Sequence, residues 1–140
     1  MFELFNIWHL LAASVAAYIF GWLWYSPIMF GKLWMKLADK GESDNKPTLR
    51  LVSYGFFTTF AVVLGVETLL LMTNPDTFLS ALAPVVLFVF AFGVTTKFTE
   101  LLYESKEPEW SKGPQQLFLI GSGHLIFSAT VMAAVLFFLG

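Results

Sequence analysis

The side chains able to do chemistry are few, and most fall into two groups. Lys97, Glu100 and Glu104 recur at i, i+3 and i+7, which sets them on one helical face. Gly121, His124 and Ser128 form a comparable stripe further along, and Tyr25 and Ser26 close an earlier apolar run. A cation, two carboxylates, an imidazole and hydroxyls at one level would make the mouth of a small-molecule or ion site. The plainer alternative has Lys97 and Glu100 neutralise each other while His124 bonds a neighbouring helix. The second group is His9 and Glu67, which could meet as a carboxylate–imidazole couple that carries protons or binds a cation. Its plainer alternative is a structural hydrogen bond between helices, worth about 1 kcal/mol in a membrane.

Nothing in the chain argues for catalysis. The two histidines fall at opposite depths and cannot share one metal ion, and no HExxH, GxSxG or phosphate-loop pattern occurs. With no cysteine among the 140 residues, thiolate metal sites, iron–sulfur clusters and cysteine nucleophiles are excluded. No catalytic, metal-binding or cofactor-binding residue is assigned, an enzyme is the less favoured class, and the sequence names no cofactor. Eight Lys and Arg against ten Asp and Glu leave no broadly basic surface for a nucleic acid.

The elements that must position these groups are apolar. Hydrophobic residues make up 57% of the chain and charged residues 13%, with a mean hydropathy of +0.71. A soluble domain carries roughly a quarter charged residues. A bilayer core needs about 20 apolar helical residues, and four stretches supply them, at about 4–25, 51–72, 78–103 and 117–139. Backbone groups in lipid must be paired internally, and runs such as 85–92 lack the two-residue alternation of barrel strands. The expected fold is therefore all-α: one domain over 1–140, four transmembrane helices in an antiparallel bundle. Pro27 closes the first span. Thr73-Asn74-Pro75-Asp76-Thr77 makes spans two and three a tight hairpin. Pro84 falls early in span three, where a missing donor costs least, and 106–114 is a second polar connector. The first span lacks a basic lead-in and ends in bulky Trp22, Trp24 and Tyr25, so it is expected to be retained rather than cleaved.

Basic residues give the bundle a direction. Lys32, Lys36, Lys40, Lys46 and Arg50 lie between spans one and two, and Lys106 and Lys112 between spans three and four. By the positive-inside rule both loops are cytoplasmic and both termini are outside, in a multi-pass protein of the inner (cytoplasmic) membrane. Lys97, the remaining basic residue, can snorkel toward the same surface. At about 1.5 Å per residue, His9 and Glu67 both sit about 8 Å inside the outer boundary. His124 and Lys97 lie about 12 Å and 9 Å from the cytoplasmic ends of their spans, in nearly one layer. Ser53 and Tyr54 reach that layer too, so every helix contributes to one vestibule.

The segment at about 29–40 reads as an interfacial amphipathic helix. Lys32, Lys36 and Lys40 recur every four residues opposite Phe30, Leu33, Trp34 and Leu37, which suits an anchor among anionic headgroups or a lipid-sensing element. Helices in lipid approach at small residues. Ala13, Ala17 and Gly21, with Ala12 and Ala16 beside them, Ala61 and Gly65, Ala129 and Ala133, and the Gly121-Ser122-Gly123 cluster supply such seams. Spans one and three share a Phe-Gly pair before a Leu/Tyr/Ser-containing end, a short match that would fit two duplicated hairpins.

The string 20–34 (FGWLWYSPIMFGKLW) closely resembles the signature of the domain-of-unknown-function family 1761, short four-span membrane proteins. Within it Gly21, Trp24, Tyr25, Ser26, Pro27, Phe30, Gly31 and Trp34 carry the likeness. Leu101-Leu102-Tyr103-Glu104 and the run 117–125 (LFLIGSGHL) are similar to the family's third-to-fourth-span region, while the connector around 107–112 is longer than its usual one. The resemblance implies the four-span architecture and no activity. Two function classes follow from the residues: a small-solute or ion transporter or channel acting as an oligomer, or a non-catalytic accessory subunit or scaffold of a larger membrane complex. Membrane lipids are the expected partners in both.

Overall fold

The computed structural model describes residues 5–37, 48–104 and 112–140, with Glu104 and Lys112 in backbone only. Lys40, Lys46, Lys106, the end of the expected interfacial helix and most of the second polar connector lie outside the described residues. Every regular element within them is helical: α1 (Ile7–Trp24), α2 (Gly31–Leu37), α3 (Leu49–Thr73), α4 (Phe78–Phe88), a π-helical segment (Val89–Val94), α5 (Thr95–Glu104) and α6 (Lys112–Leu139). Four stretches are long and apolar enough to cross a membrane, Ile7–Trp24, Leu49–Thr73, Phe78–Tyr103 and Gly113–Leu139. The chain is a multi-pass membrane protein.

Polar caps set the helix limits, which is why hydropathy alone places them a few residues off. Asn6 caps α1 by accepting from the Trp8 and His9 amides at 2.9 and 3.4 Å, so the helix starts after the apolar run does. The Thr48 hydroxyl caps α3 from the Leu51 amide at 3.1 Å. Thr77 and Ser80 form a reciprocal capping box at the start of α4. At the α3–α4 turn Asn74 adopts the left-handed conformation, φ 43°, and its amide donates to the Leu70 carbonyl at 2.8 Å. α6 begins at Lys112, with Pro114 in the first turn where its missing N–H leaves no bond unmade.

α6 is the central element. It packs against α1 most extensively, then against α4 and α3, while α3 and α4 barely touch although a tight turn joins them. The waist of the bundle is made of small side chains: Ala13, Ser14, Val63, Ala81, Val85 and Ala133 are all fully buried, with Ala17 and Ala129 beside them. Ser14 keeps its hydroxyl inside its own helix by donating to the Leu10 carbonyl at 2.7 Å. The expected seams on α1 and α6 are thus used. The one on α3 is not: Ala61 and Gly65 face outward, and nothing lies within 4 Å of a Cβ added at Gly65. α3 instead turns Val63, Val66 and Leu70 inward at i, i+3 and i+7, so its contact with the bundle is made by side-chain packing.

Span three is not one regular helix. Val89–Val94 is wound as a π-helix, and the Thr95 and Thr96 hydroxyls donate back to the Ala91 and Phe92 carbonyls that the wide turn leaves poorly bonded. Gly93 lies against α6, where an added Cβ would come 3.1 Å from Leu125.

Candidate functional site

The string 20–34 builds one end of the bundle. After α1 ends, the Phe30 amide donates to the Trp24 carbonyl at 3.0 Å, and the Met29 and Gly31 amides donate to the Ser26 carbonyl at 3.1 and 2.9 Å. Pro27 stands at the head of this turn, where its fixed φ suits the reversal. Gly31 must come so close that an added Cβ would lie 2.2 Å from the Tyr25 carbonyl oxygen. Ser26 spends its hydroxyl on the Leu23 carbonyl at 2.6 Å. The turn sets α2 against α6 and brings two rings back to the end of α1, where Phe30 meets Trp24 at 4.6 Å between ring centroids and Trp34 meets Tyr25 at 5.6 Å. Lys32, Lys36 and Leu33 are exposed on α2. Leu33 therefore shares the lysines' side rather than the aromatic stripe, because seven residues leave room for little more than one buried edge.

Trp24 locks this end to α6. Its indole N–H donates to the Ile120 carbonyl at 3.1 Å, and its ring lies where a Cβ on Gly123 would come within 2.9 Å. Gly21 does the same for His124, whose Nε2 would be 3.0 Å from a Cβ there. The imidazole lies parallel to Phe20 at 6.2 Å and 5.2 Å from the Tyr25 ring. Around it opens a cavity of about 300 Å³ lined by Tyr18, Gly21, Trp22, Tyr25, Leu51, Val52 and His124. Tyr18 spans its floor, donating to the Val52 carbonyl at 2.8 Å across to α3.

Lys97 reaches the same level from α5. Its stem and ammonium lie over Gly121, with Nζ 3.3 Å from the position of an added Cβ. Among the described residues no ion pair joins Lys97 to Glu100, which is exposed. Glu104 is described in backbone only. Ser128 is buried one turn deeper and does not line the cavity. Tyr54 points outward with Arg50 over its ring at 5.5 Å. The structure thus brings together His124 and Tyr25, lays Lys97 over Gly121 one turn before His124 on α6, and leaves Ser26, Ser128, Glu100 and Tyr54 out of the cavity lining.

The sequence reading missed the aromatic walls Tyr18 and Trp22. The signal was available, since Tyr18, Trp22 and Tyr25 recur at i, i+4 and i+7 along one face of α1. It also missed Ser122, whose hydroxyl is buried with no hydrogen-bond partner among the described residues.

At the opposite end His9 and Glu67 line one cavity of about 610 Å³ with Phe5, Asn6, Ile7, Leu71 and Gly140. Both side chains are half-buried, and the expected direct bond is not made among the described residues. No group of three or more His, Asp or Glu able to hold a metal ion occurs among the described residues.

The sequence profile of a family described as a protein of unknown function, DUF1761, matches residues 8–137. The chain belongs to the DUF1761 family. No curated protein and no solved structure matches it. The matched stretch holds every described group at both ends except Phe5, Asn6, Ile7 and Gly140. In this DUF1761 chain the family string is accordingly structural first: it makes the return of α2, and its glycines admit His124 and the Tyr25–Ser26 backbone.

Proposed function

We propose that this DUF1761 protein is a small-solute transporter of the inner (cytoplasmic) membrane, acting as an oligomer, with the His124 cavity as its binding site. The observation that carries the reading is the cavity of about 300 Å³ walled by Tyr18, Trp22, Tyr25 and His124 at one end of the bundle. Apolar and aromatic walls around a few polar groups are the usual make-up of a small-molecule site. The second cavity, at His9 and Glu67, supplies polar groups at the other end. Lys32, Lys36 and Arg50 stand at the His124 end, so the positive-inside rule makes that end cytoplasmic and puts both termini outside. The unused small face at Ala61 and Gly65 is where a second copy could approach closely.

The test is osmotic swelling of proteoliposomes in glycerol, glycine, sodium acetate and sodium phosphate, followed by light scattering. Swelling in at least one solute, lost in Tyr25→Ala and His124→Ala, is expected. A chain that moves none of them and co-purifies with a larger membrane complex replaces this reading with the accessory-subunit one.

A further inference from the structure

The cavity of about 610 Å³ at the end opposite His124 holds an acid that nothing neutralises. Glu67 from α3 and His9 from α1 both line it, and Phe5, Ile7 and Leu71 supply apolar wall. Its volume falls within the roughly 300–1,000 Å³ of small-molecule sites. Glu67 is half-buried in a membrane-spanning helix, where a carboxylate is costly unless it is protonated or meets a cation. It has no hydrogen-bond or ion-pair partner among the described residues. Nor does the sequence offer a fixed cation, since no Lys or Arg occurs in 1–31, 51–96 or 113–140, the stretches that build this end. The remaining neighbours leave the balance acidic. Asn6, ahead of α1, has its side-chain oxygen committed to the Trp8 and His9 amides, and Gly140, beyond α6, brings no side chain. Asp76, exposed in the turn after α3, adds a second carboxylate nearby.

The donor set narrows the class of cation. Zinc needs at least three protein ligands and calcium six or more oxygens, and no group of three His, Asp or Glu occurs among the described residues. An ammonium needs only acceptors for its N–H groups. The Glu67 carboxylate is one, and a neutral imidazole keeps one ring nitrogen as another. His9 and Glu67 line the same space without bonding each other, and Phe5, Ile7 and Leu71 suit the carbon chain that an amine carries. We propose that this cavity binds a small primary alkylammonium ion, with Glu67 as its counter-ion and His9 as a second acceptor. The site is separate from the His124 cavity, and the proposal holds whether or not the protein moves a solute.

The experiment is nuclear magnetic resonance of the full chain in detergent, with isotope-labelled histidine, at fixed pH and matched ionic strength. The chain has two histidines, so the imidazoles give two signals, and His9→Gln identifies the one at this end. Propylammonium chloride is compared with the chlorides of sodium, magnesium and tetramethylammonium and with sodium acetate. A saturable shift of the His9 signal with propylammonium is expected, with the His124 signal unmoved as the internal control. Glu67→Gln, which keeps the shape and removes the charge, should weaken binding about tenfold or more. Size-exclusion chromatography and an unchanged His124 signal show that this variant is folded. If it does not assemble, the ranking of ions in the wild-type chain decides alone, with propylammonium expected to lead sodium and tetramethylammonium by about tenfold or more. The proposal is overturned if propylammonium gives no saturable shift, if it moves both signals alike, or if binding survives Glu67→Gln. It is equally overturned if sodium, magnesium, tetramethylammonium or acetate binds at His9 as tightly as propylammonium does. Failure here leaves the transport reading of the His124 cavity standing.

Discussion

At the scale of single residues, glycines and one serine carry the sharpest consequences. Gly31 has no room for a methyl group, because the atoms it would strike are backbone and cannot rotate away. Gly31→Ala should therefore destabilise the protein by more than about 3 kcal/mol or prevent assembly, beyond the ordinary range of point changes. Gly65→Ala, into open space, should leave the unfolding temperature in detergent unchanged or raise it slightly, since alanine is the better helix former. Ser122 makes the opposite kind of prediction. Its hydroxyl is buried and unpaired among the described residues, so Ser122→Ala removes a cost and should stabilise by about 1 kcal/mol in the same thermal assay. Residue types and spacing draw attention to His124, Lys97 and Tyr25, because ionisable and amphipathic groups are conspicuous in an apolar run, and the structure sets them at one end of the bundle. They were not enough to discard Glu100 and Ser128, since helical spacing fixes which residues share a face and not which face turns inward.

At the scale of elements, the π-helical segment explains part of that gap. An extra residue in one turn changes the phase of everything after it by about 100° relative to an unbroken α-helix. Lys97 lies three residues beyond Val94, so its aim at Gly121 follows from that change of phase, which no hydropathy pattern announces. Deleting Ala91, an exposed residue of the segment, should let the turn close as α-helix with both flanking faces kept. The variant should remain monodisperse in size-exclusion chromatography. Deleting Leu119, an exposed residue of regular α6, should rotate the two halves of that helix against each other and abolish assembly. The Trp24 lock belongs to this scale too. Trp24→Phe keeps a ring against Gly123 but loses the bond to the Ile120 carbonyl, and a loss of about 1 kcal/mol in unfolding free energy is expected. The helices themselves were legible because length and hydropathy decide them; their ends were less so because side-chain caps such as Asn6 and Thr48 set them.

At the scale of the whole molecule, the four apolar helices and their alternating direction could be read from the sequence, and their arrangement could not. The tight turn at Asn74 reads as a close pair of helices, yet α3 and α4 diverge beyond it and α6, the last in the chain, takes the centre. Polar groups at both ends follow from the same alternation, since Glu67 near the end of α3 meets the start of α1 and His124 near the start of α6 meets its end. A reporter fused after Gly140 should be active only where non-cytoplasmic reporters are, and a cysteine at the exposed position 33 should react with an impermeant thiol reagent only after the cells are opened.

The waist between the two cavities has a mechanical consequence. Ala13, Ala17, Ala129 and Ala133 line it beside Val63 and Val85, and none of the four alanines has a side-chain rotamer to change. A constriction closed by a phenylalanine could open in nanoseconds by the swing of one ring, with the helices fixed. Widening this seam would require whole helices to part, a motion of microseconds to milliseconds.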